Sequence, residues 1–444
     1  MRQRIAIIGA GVSGLVCARL LATRHDITLF EADSHLGGHA RTVEFAAYGQ
    51  PYAADVGFMV FNDRTYPNFI RLLKLLNVAS QPSDMSFSVR VDGRDLEYQG
   101  SSLNGLFAQR RNLARPSFLR MLRDIVRFNR EASQSLASDL IDAPDLTLGE
   151  FVRGGGYGRE FLDHYLLPMT AAIWSAPPQA VEQFPAAFLF RFFQNHGLIQ
   201  LRDRPQWRTI TGGSRRYVTA LTEPLRELGA IRASTPIAAV ERRESVGVIV
   251  HDAAGHAELF DAVVLATHAP QALRLLANPT PTERRILGAF ATQQNVAVLH
   301  TDPNQLPRRQ RAWASWNYRV GEDVTCPATV TYDLNRLQGL GAPGPICLTL
   351  NPDAPIAANS VITTFEFAHP LYSTSAIAAQ RQWSELHEQD AIAFCGAYWG
   401  NGFHEDGVNS ALAVCRRFGV GLDDLIPCEA VSTREASSTL AASR

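Results

Sequence analysis

Gly9-Ala10-Gly11-Val12-Ser13-Gly14 lies between a short apolar run, Ile5 to Ile8, and a helix-forming run, Val12 to Thr23. Three glycines at this spacing suit a dinucleotide. Gly9 permits a tight turn, Gly11 lets backbone approach a pyrophosphate, and Gly14 lets helix pack on strand. The helix start at Val12 and Ser13 offers free N–H groups and a positive dipole end to phosphate. Glu31, 17 residues after Gly14 and followed by Ala32, ends the next strand, Ile27 to Phe30. A carboxylate there accepts ribose hydroxyls and repels a 2′-phosphate, which disfavours NADP. Leu36-Gly37-Gly38-His39-Ala40-Arg41-Thr42 follows closely. It reads as a second backbone loop at the pyrophosphate, with Arg41 able to neutralise charge; simple NAD dehydrogenases lack it.

Groups able to move a proton are scattered. Asp55 sits in Ala54-Asp55-Val56-Gly57-Phe58, and Tyr398, His404 and Glu405 cluster near the C-terminal end, with His300 between. Lys74 is the single lysine among 42 basic residues. The rest are arginines, which do not serve as bases. Six cysteines, Cys17, Cys326, Cys347, Cys395, Cys415 and Cys428, include no CxxC pair. We expect no metal site and no disulfide framework, and the pattern fits a reducing cytoplasm.

The elements that must hold these residues read as an α/β chain. Strand, glycine turn, helix and strand from Ile5 to Glu31 make a βαβ unit. Asn68 to Leu76 reads as a helix. A basic helical stretch, Arg110 to Arg130, and an aromatic one, Phe184 to Phe193, occupy the middle. Strand-like runs return at Ile237 to Val240, Gly247 to His251, Ala262 to Ala266, Asn295 to His300, Ala328 to Tyr332, Ile346 to Leu350 and Ala391 to Gly396. A helix is expected from about Gly407 to Phe418, then a small, polar tail. The 444 residues, 46% hydrophobic, suffice for two or three domains. A formal net charge of -1 implies no nucleic-acid partner. Arg2 and Arg4 before an apolar run resemble a signal peptide, but the glycine motif explains that run better. No other stretch reaches the roughly 18 apolar residues of a membrane span.

Taken together, these motifs resemble the FAD-dependent amine oxidase, protoporphyrinogen oxidase and phytoene desaturase superfamily. Ser234-Thr235-Pro236-Ile237 is similar to the strand whose backbone holds adenine. Asp261 to Thr267 is similar to the second nucleotide-domain strand, and Trp207 to Ser214 to an internal glycine turn. Phe394-Cys395-Gly396 with Gly402 to Ser410 resembles the C-terminal flavin motif, in which a helix start bearing Asp406, Gly407 and Val408 faces the flavin. The resemblance implies an α/β fold: a Rossmann-type FAD-binding domain, glutathione-reductase-like, with an inserted α+β substrate domain. FAD should be bound non-covalently. The FAD domain should comprise 1–85, 205–285 and 385–428, and the substrate domain 86–204 and 286–384, leaving 429–444 as a flexible tail.

Within that superfamily the chain most resembles a bacterial branch that accompanies fatty-acyl methyltransferases. The marks are Leu299-His300-Thr301-Asp302, Trp313 to Tyr318, Asn335 to Gln338, Leu350-Asn351-Pro352 and Phe403 to Gly407. That branch implies desaturation of a methyl-branched, unsaturated fatty acyl chain, free or in a phospholipid, by hydride transfer to flavin N5. The proton acceptor is open among His404, Glu405, Tyr398, His300 and Asp55. Many amine oxidases carry a lysine near Asn295; this chain has none. Phe184, Phe188, Phe190, Phe192 and Phe193 could line an acyl tunnel or form core. Arg110, Arg111, Arg115, Arg120, Arg123, Arg127 and Arg130 interleave with Phe118, Leu119, Leu122, Ile125, Val126 and Phe128. Such a helix could lie on an anionic membrane from the cytoplasmic side or be a solvated surface helix. The competing functions are an amine or polyamine oxidase and a non-catalytic, FAD-stabilised partner of a lipid methyltransferase.

Overall fold

The computed structural model describes residues 2–137, 146–200, 204–321, 328–387 and 391–425. Two sheets dominate. A five-stranded parallel sheet has the order Ile231–Arg232, Asp26–Phe30, Arg4–Ile8, Ala262–Leu265, Ile392–Phe394. The middles of its inner strands are apolar, with Ile5, Ala6, Ile7, Leu29 and Val263 to Leu265 buried, as a sheet covered on both faces requires. The helix Val12–Leu21 lies against this sheet with the helices Arg215–Glu227 and His404–Arg417. Because all five strands run the same way, Gly9, Glu31, Ala266 and Cys395 emerge at one edge. That edge is where open α/β sheets bind ligands.

The second sheet is seven-stranded and mixed: Val361–Leu371, Ala291–His300, Cys347–Leu350, Thr329–Asp333, Trp316–Val320, Phe87–Val91, Leu96–Gln99. Only the pair of Trp316–Val320 with Phe87–Val91 is parallel among its neighbours. The helices Pro116–Ala137, Leu167–Trp174 and Ala186–Asn195 share its hydrophobic core. The strands of the two sheets alternate along the chain in widely separated stretches. A three-stranded antiparallel sheet, Ile237–Arg243, Gly247–Asp252 and Ala257–Phe260, flanks the nucleotide side. The fold is of the α/β class: a doubly covered parallel sheet joined to a mixed sheet backed by helices.

One expectation changes, and one open alternative is decided. The last helix starts at His404, earlier than Gly407, because the Asp406 carboxylate accepts the Phe403 N–H at 2.9 Å and closes the first turn. Of the aromatic stretch, Phe184, Phe190, Phe192 and Phe193 are core beside the mixed sheet, Phe190 against Phe128 and Phe151, while Phe188 is half-buried against Trp174 and Tyr372. The tail 429–444, Cys326 and Cys428 lie outside the described residues. Cys17, Cys347, Cys395 and Cys415 are free, buried thiols, and no group of metal-ligating side chains occurs among the described residues. None of the described helices is long and apolar enough to cross a membrane.

Candidate active site

A cavity of about 700 Å³ opens at the carboxyl edge of the parallel sheet and is walled on its other side by the mixed sheet. The nucleotide wall contains Gly9, Gly11, Val12, Ser13, Glu31, Ala32, Gly37, Gly38, Ile237, Thr267 and Gly396. Gly9 has φ +101°, and the Gly37 N–H donates to the Ala10 carbonyl at 2.8 Å, tying the two glycine loops together. A Cβ on Gly38 would lie 3.1 Å from the Gly11 Cα, whereas one on Gly11 would meet nothing within 4 Å. Gly11 therefore borders open space that a diphosphate can enter. Gly14 stands behind the wall, where a Cβ would fall 1.8 Å from the Gly9 carbonyl oxygen. Glu31 is held by the Ala10 N–H at 2.7 Å and the Asp33 N–H at 3.0 Å. Cavity size, bare glycine backbone, helix start and fixed carboxylate all fit an adenine dinucleotide.

Several expected site residues do other work. Arg41 is not in the wall; its guanidinium lies 5.1 Å from the Phe365 ring centre. Gly407 and Val408 face helix rather than cavity. A Cβ on Gly407 would meet Val12 Cγ1 at 2.7 Å, the Ser13 hydroxyl donates to the Gly407 carbonyl at 3.0 Å, and Val408 is core. Asp406 caps its own helix; burial pushes its carboxyl up to about 7. Glu405 accepts the N–H groups of Asn68 and Phe69 and so caps Pro67–Leu75, a helix whose N-cap Tyr66 offers no side-chain bond. Asp55 accepts from the Thr42 hydroxyl and from Ser214, and lies outside the wall. His300 is bound to the Thr349 hydroxyl and the Asp302 N–H within the mixed sheet. Asp55, Glu405 and His300 lie outside the cavity wall, and the hydrogen bonds they make tie elements of the fold together.

His404 and Tyr398 do reach the cavity. His404 stacks on Phe58 and shares a 2.9 Å hydrogen bond with the Tyr217 hydroxyl; burial lowers it to about 3. Three further imidazoles join them. His39, His268 and His369 come from the second glycine loop, the end of the Ala262–Leu265 strand and the long strand Val361–Leu371. The His39 ring lies 6.0 Å from His268 and 5.4 Å from His369. Burial, then the neighbouring imidazoles, hold His39 well below its ordinary value, and burial brings His369 to about 4. All are neutral at pH 7. The far wall also holds Phe58, Met59, Val60, Ile173, Trp174, Trp316, Tyr332, Pro370 and Phe403, with Ser175 and Asn401 as further polar members. Nothing in the sequence flagged His268, His369 or Trp174, which are far apart along the chain; His39 was visible only as a neighbour of Gly38.

Comparison with known proteins agrees with this geometry. Residues 12–311 match the family model of flavin containing amine oxidoreductases. The tryptophan 2-monooxygenase of Allorhizobium ampelinum is 34% identical over 110 residues, 23% of this chain and 15% of its own length. The chain thus spans less than a sixth of that relative. Two solved structures share the fold across 94% of this chain at 16% identity. Cyclohexylamine oxidase from Brevibacterium oxydans IH-35A is covered over 100% of its length, with TM-score 0.65. A CLA-producing fatty acid isomerase from P. acnes is covered over 98%, also with TM-score 0.65. With its nucleotide wall formed as above, the chain belongs to the flavin-containing amine oxidoreductase family, and its cofactor is FAD.

Proposed function

We propose that this FAD-dependent oxidoreductase desaturates a methyl-branched, already unsaturated fatty acyl chain. The same fold serves a cyclohexylamine oxidase and a fatty acid isomerase, so the cavity wall must decide between substrates. One observation carries the reading. Among the described residues lining the cavity, Glu31 is the only carboxylate, and it stands in the nucleotide wall. A protonated amine entering the far half would lose its hydration and find no carboxylate there to pair with. Burying a cation without an anionic partner is costly. An acyl chain gains from the same surface. Lys74, the only lysine, is exposed on the helix Pro67–Leu75, so no lysine reaches the cavity.

FAD, bound here, supplies a two-electron acceptor for hydride. The chain's own residues exclude water, align the acyl chain along the aromatic wall and offer neutral imidazoles to take the accompanying proton. An allylic C–H is weaker and more acidic than a saturated one, which suits such mild bases.

Anaerobic mixing with a methyl-branched unsaturated acyl substrate should bleach the oxidised flavin, with a diene formed in matching amount. If polyamines or aromatic amines bleach it and no acyl chain does, the protein is an amine oxidase. If nothing reduces it, the role is a scaffold for a lipid-modifying partner.

A further inference from the structure

We propose that the arginine-rich face of the substrate domain docks on an anionic lipid bilayer. The inference is independent of the substrate assigned above. From Leu103 to Ala137 the chain holds seven arginines against two acids, a local charge of +5 in a chain of formal net charge -1. Both acids are engaged from within: Asp124 is buried and accepts the Gly158 N–H at 3.0 Å, and Glu131 accepts the Tyr157 hydroxyl. Arg111 pairs closely with Asp95 and Arg127 lies over the Tyr157 ring, but on the helix the pairs are long, 3.9 Å for Arg120 with Glu160 and 3.7 Å for Arg123 with Asp124.

The helix Pro116–Ala137 turns Phe118, Met121, Phe128 and Ala132 into the core. Its outward stripe is Leu119, Arg123, Val126 and Arg130, spaced by four, three and four residues. Leu119 is 44% exposed and Val126 61%. The two segments leading into this helix expose Leu103 at 76% and Leu113 at 56%. Four of the eleven large apolar side chains exposed among the described residues therefore fall within 24 residues, each near an arginine.

Aliphatic tips alternating with guanidinium groups on one surface helix match a bilayer surface. Guanidinium pairs with lipid phosphate while Leu and Val reach the acyl boundary. An acidic protein would satisfy the arginines but leave the scattered aliphatics in water. The face is also mechanically joined to the cavity: Phe128 packs on Phe190, and Trp174, a cavity residue, packs on Phe192 in the same helix as Phe190.

The test is sedimentation of the FAD-loaded full chain with vesicles of equal phosphatidylcholine and phosphatidylglycerol, and with phosphatidylcholine alone. Binding should require the anionic lipid and weaken as salt rises, because the screening length falls from about 10 Å at 0.1 M to about 3 Å at 1 M. Replacing Arg120, Arg123 and Arg130 by Gln should weaken it roughly a hundredfold. Leu119→Ser with Val126→Ser should weaken what remains at high salt. Unchanged flavin content and thermal midpoint show that the variants are folded. Equal binding to both vesicles, no binding, or indifference to the arginine variant overturns the proposal. So does arginine-dependent binding to polyglutamate or RNA without vesicle binding.

Discussion

Asp55 holds Ser214 at two points: its carboxylate accepts the Ser214 backbone N–H at 2.9 Å and the Ser214 hydroxyl at 2.7 Å. Thr42 donates to the same carboxylate at 2.6 Å. The acid thereby fastens the hairpin Thr42–Ala47/Gln50–Asp55 to the start of the helix Arg215–Glu227. Asp55→Ala should cost about 2–4 kcal/mol, since it orphans buried donors worth roughly 1–3 kcal/mol each. Turnover per bound flavin should survive. Urea unfolding and flavin-normalised kcat check both; a stable variant with abolished turnover would return Asp55 to the catalytic set.

Gly11 and Gly14 should separate cofactor binding from folding. Gly11→Ala places its methyl in open cavity, so the apoprotein should keep its thermal midpoint. FAD affinity should fall at least about tenfold, near 1.4 kcal/mol. Gly14→Ala drives Cβ into the Gly9 carbonyl and should lose fold and cofactor together. Fluorescence titration with FAD, beside thermal melts of the apoproteins, distinguishes the two.

We expect FAD to be held non-covalently, and Cys395 offers it no thiol anchor. It precedes the cavity residue Gly396 but turns inward, with its sulfur 3.9 Å from that of Cys17. No cysteine occurs among the described residues of the wall. Acid precipitation should leave the yellow chromophore in the supernatant. Flavin retained on the pellet contradicts this.

Glu405→Gln probes a helix cap rather than a base. A neutral amide still accepts hydrogen bonds from Asn68 and Phe69 but loses the favourable charge at the helix start. The expected loss is about 0.5–1 kcal/mol. The pH profile of kcat/KM should not move; a displaced acidic limb would assign Glu405 to proton transfer.

Stability should fall in mild acid. His196, His300 and His369 are lowered to about 4 by burial and His404 to about 3, against an ordinary value of 6.5. The unfolded chain takes up these protons near pH 6.5 and the native chain does not. Stability therefore drops as pH decreases from about 6.5 towards 4. Asp406, raised to about 7, acts oppositely: its contribution is full at low pH and is lost as pH rises through 7. Burial also raises Asp55, Asp333 and Glu405, but it lowers His25, His39, His164 and His268 as well, so the imidazoles outnumber the raised carboxyls. Thermal midpoints across this range test the slope, and a flat profile would contradict it.

The sequence by itself determined the nucleotide half. Gly9, Gly11, Gly14 and Glu31 are close along the chain, and a βαβ unit brings local residues to one strand edge by short connections. A dinucleotide site and the fold class were legible from that spacing; that the dinucleotide is FAD came from the resemblance carried by the later motifs. The far wall was not. His39, His268 and His369 meet only because parallel strands end at one edge while an eleven-residue strand of the mixed sheet crosses in front of it. Tertiary structure also sorted the acids. Asp55, Glu405 and Asp406 read in sequence as candidates for chemistry or cofactor contact. Each is claimed by backbone N–H or hydroxyl donors, because a buried carboxylate is stable only where such donors surround it. Likewise the phenylalanines near residue 190 became core, and Trp174, which they support, became cavity wall. Hydrophobicity alone carries no sign of which side of a packed layer faces empty space.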